Sequence, residues 1–298
     1  MPTLNQCPAC GSTSFVAVAE LDEARKARYL DYSRVKYGGL LDNVLEGLTP
    51  AIDRCTECGH CWYRHQPEPQ QLAAMYAAGR PLIAGAVPQR DPSAAMTAEM
   101  ARLRRLASRL GSADSLLDFG SGHGRWARAA LHAGFTVTAF DPSNARSAEA
   151  QAPFELVHSL DAIRGRRFSV IQLEQVLEHV PDPRATLHEL RTFCNESTVV
   201  RITVPNILRA PEGTDLWSTW PFNGRSTHTM APFEHLHAFT PGSLDRLLER
   251  AGFEPIGLTA LLRHYPSVPL RSLLATIFPT IGTTLRLVAS SASSRTRS

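Results

Sequence analysis

The 298-residue chain gathers its chemistry-bearing side chains in three places. The run Leu116-Leu117-Asp118-Phe119-Gly120-Ser121-Gly122-His123-Gly124 ends an apolar stretch in an acid and follows it with three glycines spaced by two. Glycine lets a backbone pass against a bound nucleoside without Cβ interference, and a carboxylate such as Asp118 accepts a hydrogen bond from an ammonium group. The spacing differs from the dinucleotide fingerprint, whose last two glycines lie three apart. Seventeen residues past Gly124, Val137-Thr138-Ala139-Phe140-Asp141 closes a second apolar run with an acid suited to gripping two ribose hydroxyls. The cysteines form the second group, with Cys7-Pro8-Ala9-Cys10-Gly11 and Cys55-Thr56-Glu57-Cys58-Gly59 as paired knuckles. Zn2+ on Cys7, Cys10, Cys55 and Cys58 leaves no open coordination position, so this metal is expected to be structural. His60 and Cys61 stand beside the second knuckle as substitutes. Histidines form the third group. His179 follows a strand end, where an imidazole can take a proton from a hydroxyl near neutral pH, and His228, His235 and His237 follow later.

These residues need elements to hold them. Strands are expected at Ser115–Phe119, Thr136–Phe140, Phe154–Val157, Ser169–Leu173 and Thr198–Val204, with helices near Gly124–Ala133, Ser143–Ala150 and Pro183–Cys194. Such alternation predicts an α/β fold with a mostly parallel sheet and helices on both faces. Ser93 caps a preceding helix whose apolar stripe is Met96, Met100, Leu103, Leu106 and Leu110, while Arg102, Arg105 and Arg109 point elsewhere. Upstream, Asp22–Leu48 reads as inserted helical or irregular structure, Gln70–Ala78 as a helix and Gly79–Pro92 as a linker. Downstream come a Pro/Trp/His-rich stretch at 205–239, a helix at Pro241–Ala251 and closing strands near Phe253–Leu262. Cys194 reads as a buried small hydrophobe. Leu270–Val288 is expected to pack on the domain, and the Ser/Arg-rich end to be disordered.

Composition narrows the class. Hydrophobic residues make up 43% and charged residues 20%, as in a folding globular chain. No apolar run reaches the roughly 18–20 residues of a bilayer span, and no basic-then-apolar leader opens the chain, so a cytoplasmic protein without a membrane span is expected. Residues 1–100 carry 9 basic and 11 acidic side chains against 22 and 17 in the remainder. An acidic front module is a poor phosphate clamp, so nucleic acid is not the expected partner.

The segment Asp118–Gly124 with Asp141 resembles the cofactor site of class I, seven-strand S-adenosylmethionine-dependent methyltransferases. The likeness continues through Val170–Pro183, which is similar to the segment after the family's fourth strand, and through Glu234–Pro241 and Ala251-Gly252-Phe253. The cysteine knuckles with Pro67-Glu68-Pro69 and Leu72–Tyr76 are similar to a zinc-ribbon module fused upstream of bacterial members, so the resemblance spans about residues 1–78 and 110–260. It implies a Rossmann-like, doubly wound seven-strand sheet with a small N-terminal zinc-ribbon domain. The implied division is a ribbon over 1–66, linker and packing helices over 67–110, a methyltransferase domain over 111–265 with an acceptor lid at 205–239, and an extension over 266–298.

Carried over by position, Asp118, Gly120, Ser121, Gly122 and Gly124 would line the methionine and ribose side of S-adenosyl-L-methionine, and Asp141 would hold the ribose diol. Leu160 and Asp161 would neighbour adenine, and Leu173 and Glu174 would lie near the sulfonium. Some relatives bind a divalent metal through Glu-x-x-Glu-His; here Gln175 stands at the first glutamate, which weakens that set, while Glu178 and His179 match it. The implied reaction is attack of an acceptor oxygen on the sulfonium methyl group, with His179 as general base and His235 and His237 as further catalytic candidates. Trp217, Trp220, Phe222 and Phe233 are either pocket walls or lid packing. The expected partner is a small-molecule acceptor such as a glycan, sugar derivative or secondary metabolite. Alternatives are a ribosomal-RNA methyltransferase guided by the ribbon, favoured by Arg102–Arg109 and Arg164–Arg167, and a non-catalytic nucleoside-binding protein. A homodimer is left open.

Overall fold

The computed structural model describes residues 3–46, 48–78, 91–111, 114–143, 153–206, 217–223, 226–228, 230, 232–233, 235–256 and 283–290. Residues 79–90 of the expected linker Gly79–Pro92, residues 144–150 of the expected helix Ser143–Ala150, the later part of the closing strands, the apolar segment to 282 and the chain end from 291 lie outside these residues. In chain order the elements are β1 Phe15–Glu20, α1 Glu23–Tyr37, α2 Leu40–Leu45, β2 Ala51–Cys55, β3 Cys61–Tyr63, α3 Pro69–Ala78, α4 Ala94–Arg109, β4 Ser115–Phe119 and α5 Arg125–His132. Then follow β5 Thr136–Phe140, β6 Glu155–Val157, a 3-10 turn at Leu160–Ile163, β7 Val170–Glu174, α6 Pro183–Arg191 and β8 Val199–Pro205. The chain closes with β9 Phe222–Asn223, β10 Ser226–Thr227, β11 His237–Ala238, α7 Pro241–Arg250, β12 Phe253–Pro255 and β13 Thr283–Ser290.

Two compact units divide the chain: Met1–Val87 with Leu177–Pro183 and Pro205–Leu247, and Pro88–Val176 with Arg184–Val204 and Leu248–Ser298. In the first, β1, β2, β3 and β11 form an antiparallel sheet, so the segment expected as a lid gives a strand to the cysteine-rich module. The inserted stretch 22–48 is helical. Asp22 caps α1 by accepting from Arg25 N at 2.8 Å, and Gly38 in the left-handed region ends it. Leu21, Tyr29, Leu41, Leu45, Ile52 and Tyr63 form one core with Trp217, Trp220, Met230, Phe233 and Leu236. Burial of each large side chain contributes about 1.5–3 kcal/mol, and the aromatic hydroxyls find partners: Tyr29 donates to Pro232 O at 3.0 Å and Tyr63 to Met230 O at 2.7 Å. Trp217, Trp220 and Phe233 are therefore core packing of this unit, at 8, 0 and 1% exposure.

The second unit is built on a seven-stranded sheet in the order β12-β13-β8-β7-β4-β5-β6. Strands β6, β5, β4, β7 and β8 run parallel, while β12 and β13 pair antiparallel. The five sequence-predicted parallel strands appear within about a residue of their expected bounds. Of the expected closing strands, Phe253–Pro255 is observed and residues 257–262 lie outside the described ones; Thr283–Ser290, expected as part of an extension, is an inner strand between β12 and β8. Ser93 caps α4 as its sequence predicts, accepting from Met96 N at 3.3 Å, and Met100, Leu103 and Leu106 are buried. Leu110, expected on that stripe, is 38% exposed at the helix end. Helix α5 buries Ala127, Ala129 and Ala130, whose small side chains let it lie close on the sheet. The chain enters this sheet at its centre, winds outward to β6 and returns to β7 beside β4. Ligand crevices of open α/β sheets form at such a reversal, beyond the strands' carboxyl ends. Among the described residues no helix is long and apolar enough to cross a membrane.

Candidate functional sites

In the second unit, the loop after β4 sits at that reversal. Gly120 N and Ser121 N both donate to Phe140 O, at 2.8 and 3.0 Å, so the turn hangs on the end of β5. Gly120 has φ +74°, and a Cβ there would stand 2.7 Å from Val176 Cγ2; at Gly124, φ +72°, it would meet Phe154 at 2.8 Å. Side chains are excluded from both positions on conformational and steric grounds. Asp141 is 3% exposed and does more than its position at a strand end predicts: it accepts from Gly122 N at 2.9 Å and Ser143 N at 3.1 Å, tying the glycine loop to β5. A carboxylate offers about four acceptor sites, so a diol contact is compatible with this anchoring. His158, which sequence reasoning passes over, donates from Nδ1 to Asp141 O at 2.8 Å.

Asp118 is 2% exposed and accepts from Gln172 Nε2 at 3.4 Å. Desolvation first, and then the nearby Glu174 charge, push its carboxyl up to about 7, against lowering by Gln172, Ala127 and Arg201. Leu173 is wholly buried, whereas Glu174 at the end of β7 is part-exposed and accepts from Arg201. Leu160 is half-buried and Asp161 exposed, its backbone N–H donating to Ser159 Oγ at 3.2 Å and its carboxylate paired with Arg164. Ser121 Oγ is hidden from solvent and has no hydrogen-bond partner among the described residues. A cradle closed to Cβ atoms, one orphaned hydroxyl and two buried acids fit a polar nucleoside carrying an ammonium group and a ribose.

The first unit holds the histidines. Glu178, His179 and His235 each offer a ligand atom, all within 4.8 Å of one another, although no metal-binding spacing links residues 178 and 235 in the sequence. The His179 and His235 rings meet edge to face at 4.5 Å. Glu178 O accepts from Leu236 N at 2.7 Å and His237 N at 3.1 Å, which binds the two segments together. His235 and His237, neighbours in sequence, take different company. His237 is 1% exposed; its Nε2 lies 3.3 Å from Pro181 O, which can only accept, so Nε2 carries the proton and Nδ1 accepts from His60 Nε2 at 3.2 Å. Burial lowers both pKa values, that of His237 to about 4. His228 is buried and its Nδ1 accepts from Met230 N at 3.0 Å, an ordering contact. Gln175, in the second unit, stands at φ +54°, uncommon for a residue with a side chain, and its N–H donates to Thr203 O at 3.1 Å.

The cysteine sulfurs converge as the spacing predicts. Cys7 Sγ lies 3.6 Å from Cys58 Sγ and Cys10 Sγ 3.5 Å from Cys55 Sγ, with all four within 4.8 Å. Tetrahedral zinc with Zn–S near 2.3 Å places its sulfurs about 3.8 Å apart, so the set fits that ion. Cys58 is held down to about 5, mainly by a thiol hydrogen bond from Cys7, whose own pKa is pushed up. Cys61 stays outside the cluster, its burial raising the thiol to about 12. Thr240 Oγ1 donates to Cys58 O at 3.0 Å and exchanges hydrogen bonds with Ser243, joining the second knuckle to the start of α7.

No curated protein matches the chain significantly. Among solved structures, 1,6-didemethyltoxoflavin-N1-methyltransferase of Burkholderia thailandensis is similar over 81% of this chain and 96% of its own, at 18% identity and a TM-score of 0.44. The plantazolicin methyltransferase BamL matches 66% of this chain and 85% of its own, at 12% identity and a TM-score of 0.49. An S-adenosylmethionine-dependent methyltransferase from Archaeoglobus fulgidus matches 65% and 93%, at 16% identity and 0.43. Residues 93–258 match a protein family described as Methyltransferase domain, and this stretch carries the glycine cradle, Asp118, Asp141 and all five parallel strands. The chain belongs to that methyltransferase-domain family.

Proposed function

We propose that the protein transfers a methyl group from S-adenosylmethionine to a hydroxyl of a small-molecule acceptor. The observation that carries the cofactor half of this reading is the glycine-rich turn at Gly120–Gly124, closed to a Cβ at Gly120 and Gly124, set at the sheet's reversal and anchored by Asp141. Bound S-adenosylmethionine supplies a methyl group on a cationic sulfur, and transfer leaves the neutral thioether S-adenosylhomocysteine. Asp118 and Ser121 face the polar groups of the methionine end, and Asp141 orients the ribose. Positioning and exclusion of water are the main tasks of such a site, because the donor is already activated.

His179 is the base we assign. Its part-exposed imidazole is the one on the Glu178-His179 segment, and His235 packs against it as an orienting neighbour. His237, fully enclosed and hydrogen-bonded through both nitrogens, is assigned to holding the Pro181 carbonyl rather than to proton transfer. The four cysteines are assigned a structural zinc ion, which would brace the sheet that carries β11. The modest acidic excess of the front module supports a small acceptor over RNA.

A second reading is favoured by one observation: His235 supplies the third ligand atom that Gln175 removes from the sequence pattern. Glu178, His179 and His235 would then hold a divalent cation that lowers the acceptor hydroxyl's pKa. Methyl labelling of small-molecule extracts with labelled cofactor, run with and without exhaustive chelation, separates the two. Transfer that survives chelation supports His179 as base. Transfer lost on chelation and restored by Mg2+ or Mn2+ supports the metal, and no transfer to any extract, despite cofactor binding, would leave a non-catalytic nucleoside-binding protein.

A further inference from the structure

Asp118 on β4, Gln172 on β7 and Arg201 on β8 stand in one register row of the parallel sheet. Their exposures are 2, 0 and 2%. Arg201 interrupts the run Val199-Val200-Arg201-Ile202-Thr203-Val204 and is among the largest fully enclosed side chains of the chain. Its fork is fully directed. Nε and Nη2 donate to Glu99 Oε1 on α4 at 2.9 and 2.7 Å, and Nη1 donates to Glu174 Oε2 at 2.5 Å. The guanidinium carbon lies 4.6 Å from the Trp126 ring centroid, so α5 covers the group from above. A planar guanidinium held on three sides cannot turn without breaking both carboxylate pairs.

Glu99 and Glu174 thus share one guanidinium, and the part-exposed Glu174 carboxylate stands two residues beyond Gln172, at the carboxyl end of β7. A carboxylate held at such an edge attracts a cation more than a neutral ligand. We propose that Arg201 is a positioning residue which, anchored by Glu99, fixes the Glu174 carboxylate at the carboxyl end of β7, so that the site favours a cationic sulfonium nucleoside relative to its neutral thioether product. This rests on the reading that the glycine cradle binds S-adenosylmethionine. The attraction is switched off by the reaction itself, because methyl transfer removes the cation, and product release follows more readily.

Calorimetric affinities of the full-length chain for S-adenosylmethionine and S-adenosylhomocysteine provide the test. One carboxylate–cation contact in a partly open site is worth on the order of tenfold. Glu174→Gln should weaken the sulfonium ligand about tenfold and leave the thioether within about twofold. Arg201→Lys keeps the charge but loses the fork, and should shift the ratio in the same direction by a similar factor. Should Arg201→Lys fail to fold, Glu99→Gln replaces it, with an expected shift of about threefold. Unchanged ratios in Glu174→Gln and the arginine or Glu99 variant overturn the proposal, as does parallel weakening of both ligands, which marks a purely structural role. A wild-type chain that binds neither nucleoside overturns the cofactor reading and this proposal together; one that binds both with ratios unmoved overturns this proposal alone.

Discussion

The two units assemble their polar groups in opposite ways. In the parallel-sheet unit, Asp118, Gln172 and Arg201 come from three adjacent strands whose register aligns them, Glu174 ends the middle strand, and the glycine turn follows directly from β4. In the cysteine-rich unit, Glu178, His179, His235, His237 and His60 come from three distant stretches joined by backbone hydrogen bonds and a two-residue strand. A regular sheet can place a ligand site from local sequence alone. The histidine cluster exists only once long-range pairing is complete, so its precision depends on whatever braces that pairing.

The sharpest way to break this contrast is His179→Ala. Turnover should fall by about 10²–10⁴-fold, the usual worth of a positioned base, with cofactor affinity within about twofold by calorimetry. Unchanged turnover would remove the base assignment. Gly120→Ala tests the other unit: left-handed strain and overpacking against Val176 together cost roughly 3 kcal/mol, so affinity for S-adenosylhomocysteine should drop about 100-fold. Wild-type affinity there would mean that the turn does not need to be bare. Cys58→Ser addresses the brace. If zinc holds the antiparallel sheet, the variant should lose one bound zinc by elemental analysis and melt at least about 5 °C lower, with the sulfonium nucleoside still bound.

Asp118 sharpens the contrast through pH. Its carboxyl is raised by burial to about 7 from 3.8, so between those values the native chain keeps a proton that the unfolded chain has lost. Stability from this group is complete below about pH 4 and declines as pH rises through 7. Asp118→Asn, always neutral, should therefore exceed wild type above pH 7 by on the order of 2 kcal/mol and match it near pH 4, as followed by melting temperature. A pH-independent difference would count against the raised carboxyl. The smallest effect is expected from His228→Ala, about 1 kcal/mol of stability from one lost hydrogen bond and no change in turnover per folded molecule.

Much of the nucleoside site is legible in the sequence because its signals are local. A strand, an acid and bare glycines occupy nine consecutive residues, and the Asp141 signal needs only the next strand end. Cysteine spacing carries the thiol cluster across a long insertion for the same reason: knuckle geometry is a four-residue property. What is not legible depends on partners far away. Nothing near His235 distinguishes it from His237, yet one joins Glu178 and the other His60. Arg201 carries a signal that could have been used, a lone charge inside a β-branched run, but its two carboxylate partners lie 102 and 27 residues away. The aromatics of 217–233 read equally as pocket walls or lid packing, because their packing with Tyr29 and Tyr63 joins residues far apart in the sequence.

The placement of β13 between β12 and β8 has a practical reach beyond chemistry. A chain clipped anywhere before residue 283 would lose not a tail but a middle rung, stranding two rows of backbone amides and carbonyls that seek new neighbours. Removal of that strand would then favour self-association through the stranded edges of β12 and β8.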